Sequence, residues 1–300
     1  MWPPIEPAET GEDDFSAEFA ARVLARSRVA IVGLGLIGGS LALALGGHCR
    51  EVLAVEPRAE ARALALREGI VSAASADPTA VLPQADIVVL AAPVRAILAL
   101  LTDLPNMHPG RALVLDVGST KQAIVKAMAA LPARFDPIGG HPMAGKTARG
   151  LAAAEAGLFR GAVFALTPLA RTSPLARAVA EALVHAVGAQ PLFMTPAEHD
   201  RYAAAVSHLP YLLSLALALS TSPEEAVLAG PGFRSTTRLA ASSPEMMGDI
   251  LLTNRPAVLA ALERFRSRLA ALETALRSPT EESLLHLLGQ GQAHHRRLMP

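Results

Sequence analysis

The chain has a single cysteine and no net charge, and each of these features excludes some classes of protein. Cys49 is the single cysteine among 300 residues, so an internal disulfide is excluded, and no Cys/His spacing resembles a metal site. We therefore expect no metal and a reducing, cytoplasmic location. The 27 basic and 27 acidic residues balance, which leaves no overall field to attract nucleic acid or an anionic membrane.

The N-terminus also lacks the pattern of a secretion signal. Its first residues, MWPPIEPAETGEDDF, are rich in proline and acid, whereas a signal is basic and then apolar. We expect residues 1–26 to be a leader, partly mobile, that ends in a short helix from Ser16 to Ala25. The remaining chain, 51% hydrophobic overall, suffices for one large domain or two ordinary ones.

Residues 29–47 are uncharged and close to the length of a membrane span, yet glycines interrupt them. A β-branched run, a glycine-rich stretch and a Leu/Ala run predict a buried strand, a tight turn and a helix. Gly33, Gly35 and Gly38 form the G-x-G-x-x-G spacing of a dinucleotide site. There the glycines make the turn, let backbone approach a pyrophosphate and let helix pack on strand. Leu36 and Ile37, at the helix start, join the predicted cofactor contacts.

Glu56 ends the next predicted strand, 21 residues beyond Gly35. An acid at this spacing accepts the ribose hydroxyls and repels a 2′-phosphate, which favours NAD over NADP. Arg58 leaves the preference open, because a nearby arginine can bind that phosphate. The alternative for Glu56 is a solvated acid at a strand end.

Two further strands are predicted at residues 85–94 and 112–119, with a helix between them, which indicates a mostly parallel sheet. Ligands lie beyond the carboxyl ends of such strands. We therefore expect the cleft to be lined by Ala92, Pro93, Val94, Gly118 and Ser119. Ser119 is also predicted to cap the following helix, and Lys121 to point to solvent or to a ligand.

The segment FDPIGGHPMAG should bring His141 to the same edge of the sheet, with Gly139, Gly140 and Pro142 shaping a turn. The runs VAIVGLGLIGGSLALAL, DVGSTK, GGHPMAG, SHLP and GFRSTTRLAASSPEM follow one another across residues 28–275. In this combination and order the chain resembles the prephenate/arogenate dehydrogenase family of tyrosine biosynthesis.

The resemblance implies NAD-dependent oxidative decarboxylation of prephenate to 4-hydroxyphenylpyruvate and CO2, with arogenate as the alternative substrate. It implies that His141 accepts a hydrogen bond from the C4 hydroxyl and that Ser119 bonds to substrate and histidine. Imidazole suits this role, since its pKa of about 6.5 leaves it mostly neutral near pH 7.

From residue 195 the pattern becomes helical. The predicted fold is an α/β Rossmann-type dinucleotide-binding domain over 27–194 and an all-α substrate and dimerisation domain over 195–300; the resemblance implies a homodimer.

The resemblance also assigns Arg238 to the substrate's side-chain carboxylate, which a guanidinium binds with two hydrogen bonds. Arg234, four residues earlier, is interpreted as structural. His199, Asp200 and His208 lie near helix starts, where capping and packing are the favoured interpretation and a supporting contact at the cleft stays open.

The chain departs from the family pattern at three places. Lys146, Thr147 and Ala148 stand where relatives often carry an acid, so we expect an acidic gate or its ion pair to be absent. Tyr211 stands where SHLP is often followed by histidine, and Met247 replaces an aromatic. Lys146, Thr147 and Tyr211 are the predicted substrate contacts at these departures.

Two other functions fit the sequence less well. A β-hydroxyacid dehydrogenase needs a catalytic lysine early in its second half, and residues 195–260 contain no lysine. A dinucleotide-binding regulatory module without turnover would keep the three glycines but would not need His141, Ser119 and Arg238 together.

Overall fold

The computed structural model describes residues 16–299, and its centre is one eight-stranded sheet in the order β3-β2-β1-β4-β5-β6-β7-β8. Neighbouring strands are parallel except β6 and β7, which are antiparallel, so the mostly parallel sheet is confirmed. The strands are β1 (Arg28–Val32), β2 (Glu51–Val55), β3 (Ala73–Ser75), β4 (Ile87–Leu90), β5 (Ala112–Asp116), β6 (Phe135–Pro142), β7 (Val163–Pro168) and β8 (Gln190–Phe193).

Helices cover both faces of the sheet, and helices alone follow the last strand. Residues 27–194 are called the sheet half. Helix α1 (Ala17–Arg26) precedes it, and its own helices are α2 (Leu36–Leu45), α3 (Ala59–Arg67), α4 (Val94–Met107), α5 (Gln122–Ala129) and α6 (Pro174–Ala186). Those of the helical half (residues 195–299) are α7 (Pro196–Ala203), α8 (Leu209–Leu219), α9 (Pro231–Thr237), α10 (Pro244–Thr253), α11 (Arg255–Arg277) and α12 (Glu282–Leu298). A π-helical turn, Ala204–His208, joins α7 to α8.

Apolar clusters lie on both faces of the sheet. Every residue of β4 and β5 is buried, as expected for parallel strands covered on both sides. On one face, Leu41 and Leu183 belong to a buried cluster supplied by α2 and α6. On the other, Tyr211 and Ile250 of the helical half join the cluster that contains Ile97 of α4. The helical half is thus anchored to the sheet by its own apolar residues.

The helix predicted at the end of the leader is present as α1. Ser16 caps it by accepting a hydrogen bond from the backbone N–H of Phe19 at 3.2 Å. Ala20 and Leu24 are buried in the same cluster as α6, so this part of the leader is packed on the sheet half. The rest of the predicted leader, residues 1–15, lies outside the described residues.

The apolar stretch 29–47 forms β1, a turn and the ten-residue helix α2, so a membrane span at this place is wrong. Another helical run, Pro196–Leu219, is long and apolar enough to cross a membrane by length and composition alone, and 28% of the apolar 18-residue stretch within it is buried. Its buried polar residues His199 and Asp200 contact the sheet half.

Three local predictions about the sheet half are wrong. The strand expected at 85–94 ends at Leu90, because Pro93 precedes α4 and Val94 is already its first residue. The strand expected at 112–119 ends at Asp116. Gly139 and Gly140 lie within β6 and do not form a turn. A β-carbon at Gly139 would lie 2.2 Å from Oγ1 of Thr167, and one at Gly140 would lie 2.7 Å from the carbonyl oxygen of Asp116. These glycines allow close packing around the strand.

Candidate active site

The glycine-rich turn after β1 has the shape that a dinucleotide requires. Gly33 has φ +101°, and a β-carbon there would lie 2.6 Å from the carbonyl oxygen of Ala91. A β-carbon at Gly38 would lie 1.9 Å from the carbonyl oxygen of Gly33, so α2 packs directly on the turn. A β-carbon at Gly35 would meet no described atom within 4 Å. Gly35 therefore leaves an open approach to the start of α2, where N–H groups can bind phosphate.

Glu56 lies buried beside this turn, so the alternative of a solvated acid is wrong. Its carboxylate accepts hydrogen bonds from the backbone N–H of Leu34 at 2.8 Å and from Nε of Arg58 at 2.7 Å. Burial opposes ionisation, but the hydrogen bonds from Arg58 and Leu34 outweigh it and lower the pKa of Glu56. An ionised acid at the end of β2 fits a ribose, and Arg58 is already held by that acid.

A buried ion pair ties β5 to β6 beneath the cleft. Nζ of Lys121 contacts Asp116 and donates to the carbonyl oxygen of Gly140 at 2.6 Å, and both charged side chains are fully buried. Asp116 also accepts from the backbone N–H groups of Gly118 at 2.8 Å and Gly140 at 3.2 Å. Burial raises the pKa of Asp116 and lowers that of Lys121, and each charge offsets the effect on the other. The prediction that Lys121 points to solvent or a ligand is wrong.

The side chain that caps the N-terminus of α5 is that of Asp200 in α7, so the prediction that Ser119 caps this helix is wrong. Asp200 accepts from the backbone N–H of Lys121 at 2.7 Å and of Gln122 at 3.0 Å. Ser119 is half-buried before the helix. Across the described residues, no hydrogen bond joins Ser119 to His141. A cap from 78 residues away leaves no local sequence signal.

His141 stands near the end of β6, opposite Ala165 of β7, at the carboxyl edge of the parallel strands. Its Nδ1 lies 2.9 Å from Nε2 of His199, and Nδ1 of His199 lies 2.9 Å from Oδ1 of Asp200. His141 is half-buried, whereas His199 and Asp200 are buried. The predicted catalytic histidine is therefore connected to the two polar residues at the start of the helical half.

Electrostatics keep His141 neutral near pH 7. Burial first, and then the neighbouring cationic groups, Lys121 among them, lower its pKa well below the ordinary value of 6.5. Burial also lowers the pKa of His208 to about 4, against the opposing charge of Asp200. A neutral imidazole can accept a hydrogen bond or a proton, which an imidazolium cannot.

The other predicted substrate contacts have mixed surroundings. Lys146 forms an ion pair with Glu155. Thr147 is exposed. Tyr211 of α8 is buried in the apolar cluster that also contains Ile97 and Ile250. Arg149 places Nη2 3.5 Å from the carbonyl oxygen of Ala241 and thereby links this segment to the helical half.

Arg234 and Arg238 do not lie on one continuous α-helix, since α9 ends at Thr237 and Arg238 begins a 3₁₀ turn. Both arginines are exposed, and neither forms an ion pair within residues 16–299. Among the same residues, no group of three or more His, Cys, Asp or Glu side chains could hold a metal ion.

His199 and Asp200 have a larger part in the site than their sequence context indicates. Their one local signal is the pair itself, near the start of a helix capped by Thr195 and Glu198. Such pairs commonly serve capping and packing, and their partners here, His141 and Lys121, are distant in sequence.

Comparison with known proteins gives a consistent result for both halves. The protein-family model for the prephenate dehydrogenase nucleotide-binding domain matches residues 41–192. The family model for the prephenate dehydrogenase dimerization domain matches residues 195–290. The prephenate dehydrogenase of Bacillus subtilis (strain 168) is 33% identical over 271 residues, which are 86% of this chain and 72% of that protein.

Solved structures agree. The chain is similar to A. aeolicus prephenate dehydrogenase in complex with hydroxyphenyl propionate and NAD+, with a TM-score of 0.84, 29% identity, and coverage of 92% of this chain and 99% of that one. It is also similar to Synechocystis arogenate dehydrogenase, with a TM-score of 0.76, 32% identity, and coverage of 91% and 100%.

Proposed function

Because this chain belongs to the prephenate dehydrogenase family, we propose that it catalyses the NAD-dependent oxidative decarboxylation of prephenate to 4-hydroxyphenylpyruvate and CO2. The observation that carries the proposal is His141. It is a neutral, half-buried imidazole at the carboxyl edge of the sheet that contains a complete dinucleotide turn. A regulatory module without turnover would not need such a base.

The reaction balances without any further reactant. Bound NAD would supply the acceptor for the hydride that leaves C4 of prephenate. The bond between C1 and its carboxylate breaks, CO2 departs, and the electron pair of that bond completes the aromatic ring. His141 accepts the hydrogen bond of the C4 hydroxyl as this oxygen becomes carbonyl-like, and it can return the proton to the phenol product.

The remaining chain orients the reactants. Backbone N–H groups around Gly35 would hold the pyrophosphate, with Leu36, Ile37 and Gly38 at the same helix start, and Glu56 would hold the ribose. Ala92, Pro93, Val94 and Gly118 follow the strands that end beside this turn. Ser119 is assigned to the substrate, as are Lys146, Thr147 and Tyr211, and Arg238 to its side-chain carboxylate.

Initial rates test the activity directly. Prephenate and arogenate are each supplied with NAD and with NADP, and formation of the reduced cofactor is followed. We expect turnover with prephenate and NAD. Arogenate is the second candidate, because an arogenate dehydrogenase is among the similar structures. Absence of turnover with both substrates would contradict the proposal and favour a regulatory module.

The His141→Asn variant tests the base. It should bind NAD normally and lose kcat by roughly two to four orders of magnitude, the usual scale for a general base. In the wild type, kcat should change little from pH 8 down through 6.5 and should fall only at a pH well below 6.5, because the lowered pKa of His141 keeps the ring neutral until then. Near-normal turnover of the variant would remove His141 from the mechanism.

We also propose a cytoplasmic homodimer built from the helical half, with the domain boundary at residue 195. The match of residues 195–290 to a dimerization domain supports the dimer. So do exposed apolar side chains on this half: Leu219 is 79% exposed, Val227 84% and Leu228 89%. Light scattering of the purified chain checks the proposed stoichiometry, and a monomer at micromolar concentration would contradict it.

A further inference from the structure

The two buried residues attached to His141 form a one-directional chain of hydrogen bonds. Asp200 has a carboxylate that can only accept, so Nδ1 of His199 must carry the proton in their 2.9 Å contact. When the His199 ring carries this one proton, its Nε2 has a lone pair that accepts from Nδ1 of His141 at 2.9 Å. The proton of His141 is thereby placed on Nδ1.

From this we infer that His199 and Asp200 are positioning residues that select the tautomer of His141, with the proton on Nδ1 and the lone pair of Nε2 directed to the substrate hydroxyl. The inference deepens the proposed function and rests on it. In the opposite tautomer, Nε2 would carry the proton and could not accept one. Tautomer selection by a hydrogen-bonded partner is a general way to prepare a histidine base.

Asp200 is suited to begin this chain because it is held firmly in its ionised form. Its Oδ1 also accepts from the backbone N–H of Lys121, and its Oδ2 accepts from the backbone N–H and Nε2 of Gln122, at 2.7, 3.0 and 3.3 Å. Burial acts to raise the pKa of Asp200, but the hydrogen bonds from His199, Gln122 and Lys121 prevail and lower it. The start of α5 adds a favourable dipole.

The other titratable groups around His141 do not compete for this role. Lys121 is paired with Asp116 and Gly140. His208 has a pKa of about 4 and lies 3.3 Å, through Nδ1, from the amide nitrogen of Asn254. Among the described residues, His199 is the side chain that is hydrogen-bonded to His141.

Two variants of His199 separate its contacts. Asparagine reproduces the position of Nδ1, so His199→Asn can keep the contact with Asp200 but loses the one with His141. Glutamine reproduces the position of Nε2, so His199→Gln can keep an acceptor for His141. We expect His199→Asn to lower kcat by roughly 10- to 100-fold, the scale for a lost orienting partner. KM and NAD affinity should change less than about threefold, with His199→Gln recovering most of the activity.

The expected order of these variants is specific to the inference. A residue needed only to pack against Asp200 would tolerate asparagine better than glutamine. Equal, near-normal kcat for both variants would overturn the inference, and so would the reverse order or a loss confined to KM.

A spectroscopic measurement makes the result independent of turnover. The full chain is labelled with ¹⁵N-histidine and saturated with NAD, and the ring signals of His141 are identified by their loss in His141→Asn. Nitrogen shifts should show protonated Nδ1 and unprotonated Nε2 in the wild type and in His199→Gln, and a mixture of tautomers in His199→Asn. Protonated Nε2 in the wild type would overturn the inference. If the tautomers behave as expected while His141→Asn keeps normal turnover, the catalytic role of His141 fails and the selection of its tautomer stands.

Discussion

The sheet half and the helical half both bury charged side chains, but they hold them with different partners. In the sheet half, Lys121 and Asp116 are five residues apart and bond to each other and to adjacent strands. In the helical half, Asp200 bonds mainly to groups of the sheet half, 78 and 79 residues away. The first arrangement ties β5 to β6 within the sheet. The second connects the two halves at the site.

Removal of one partner of the buried ion pair should have the largest effect on stability. Asp116→Ala leaves the Lys121 ammonium buried without its carboxylate, and we expect the free energy of unfolding in urea to fall by about 3–5 kcal/mol. The double variant Asp116→Leu with Lys121→Met should recover part of this loss, because no unpaired charge is then buried. A loss below about 1 kcal/mol in the single variant would contradict this account of the pair.

Removal of the contact between the halves should cost somewhat less. Asp200→Ala leaves the N-terminal N–H groups of α5 without a cap, and we expect a loss of about 2–4 kcal/mol in urea unfolding. Glu198→Ala is the matched control, since Glu198 is half-buried and caps only its own helix. It should cost about 1 kcal/mol or less. Equal losses would show that Asp200 acts locally, as Glu198 does.

Arg238 tests whether the helical half also binds substrate. Arg238→Ala should raise KM for prephenate by roughly 10- to 100-fold through loss of a charge-assisted hydrogen-bonded pair, and leave NAD affinity unchanged. Arg234→Ala is the control, because Arg234 is exposed on α9 and interpreted as structural. An unchanged KM for Arg238→Ala would refute the assignment.

The smallest effect near pH 7 is expected from His208. Its folded pKa of about 4 lies below the ordinary 6.5, so the unfolded chain binds more protons between these values. Its contribution to stability is present above pH 6.5 and is lost as the pH falls toward 4. In His208→Asn, the decline of Tm over this range should be shallower than in the wild type. Parallel declines would contradict the burial of a neutral histidine.

The fold and the cofactor turn were largely predictable because their signals are local. Gly33, Gly35 and Gly38 lie within six residues, and each has the packing or open approach that its spacing indicates. The position predicted for His141, at the edge of the sheet, is confirmed. Gly139 and Gly140 before it are strand residues that allow close packing and do not form a turn. The capping of α5 was predicted wrongly, because a serine before a helix is a common cap and the actual cap lies far along the chain.

Local patterns in the chain therefore specify the strands, the turn and the cofactor-binding edge, since each depends on residues a few positions apart. The resemblance of several motifs to one family points to His141 as the proposed base. The tertiary structure decides which group orients that base. His199 and Asp200 reach His141 and α5 only after the helical half has packed on the sheet through residues such as Tyr211 and Ile250. Hydrogen bonds that span 58 to 79 residues have no short-range periodicity, so they are settled by packing.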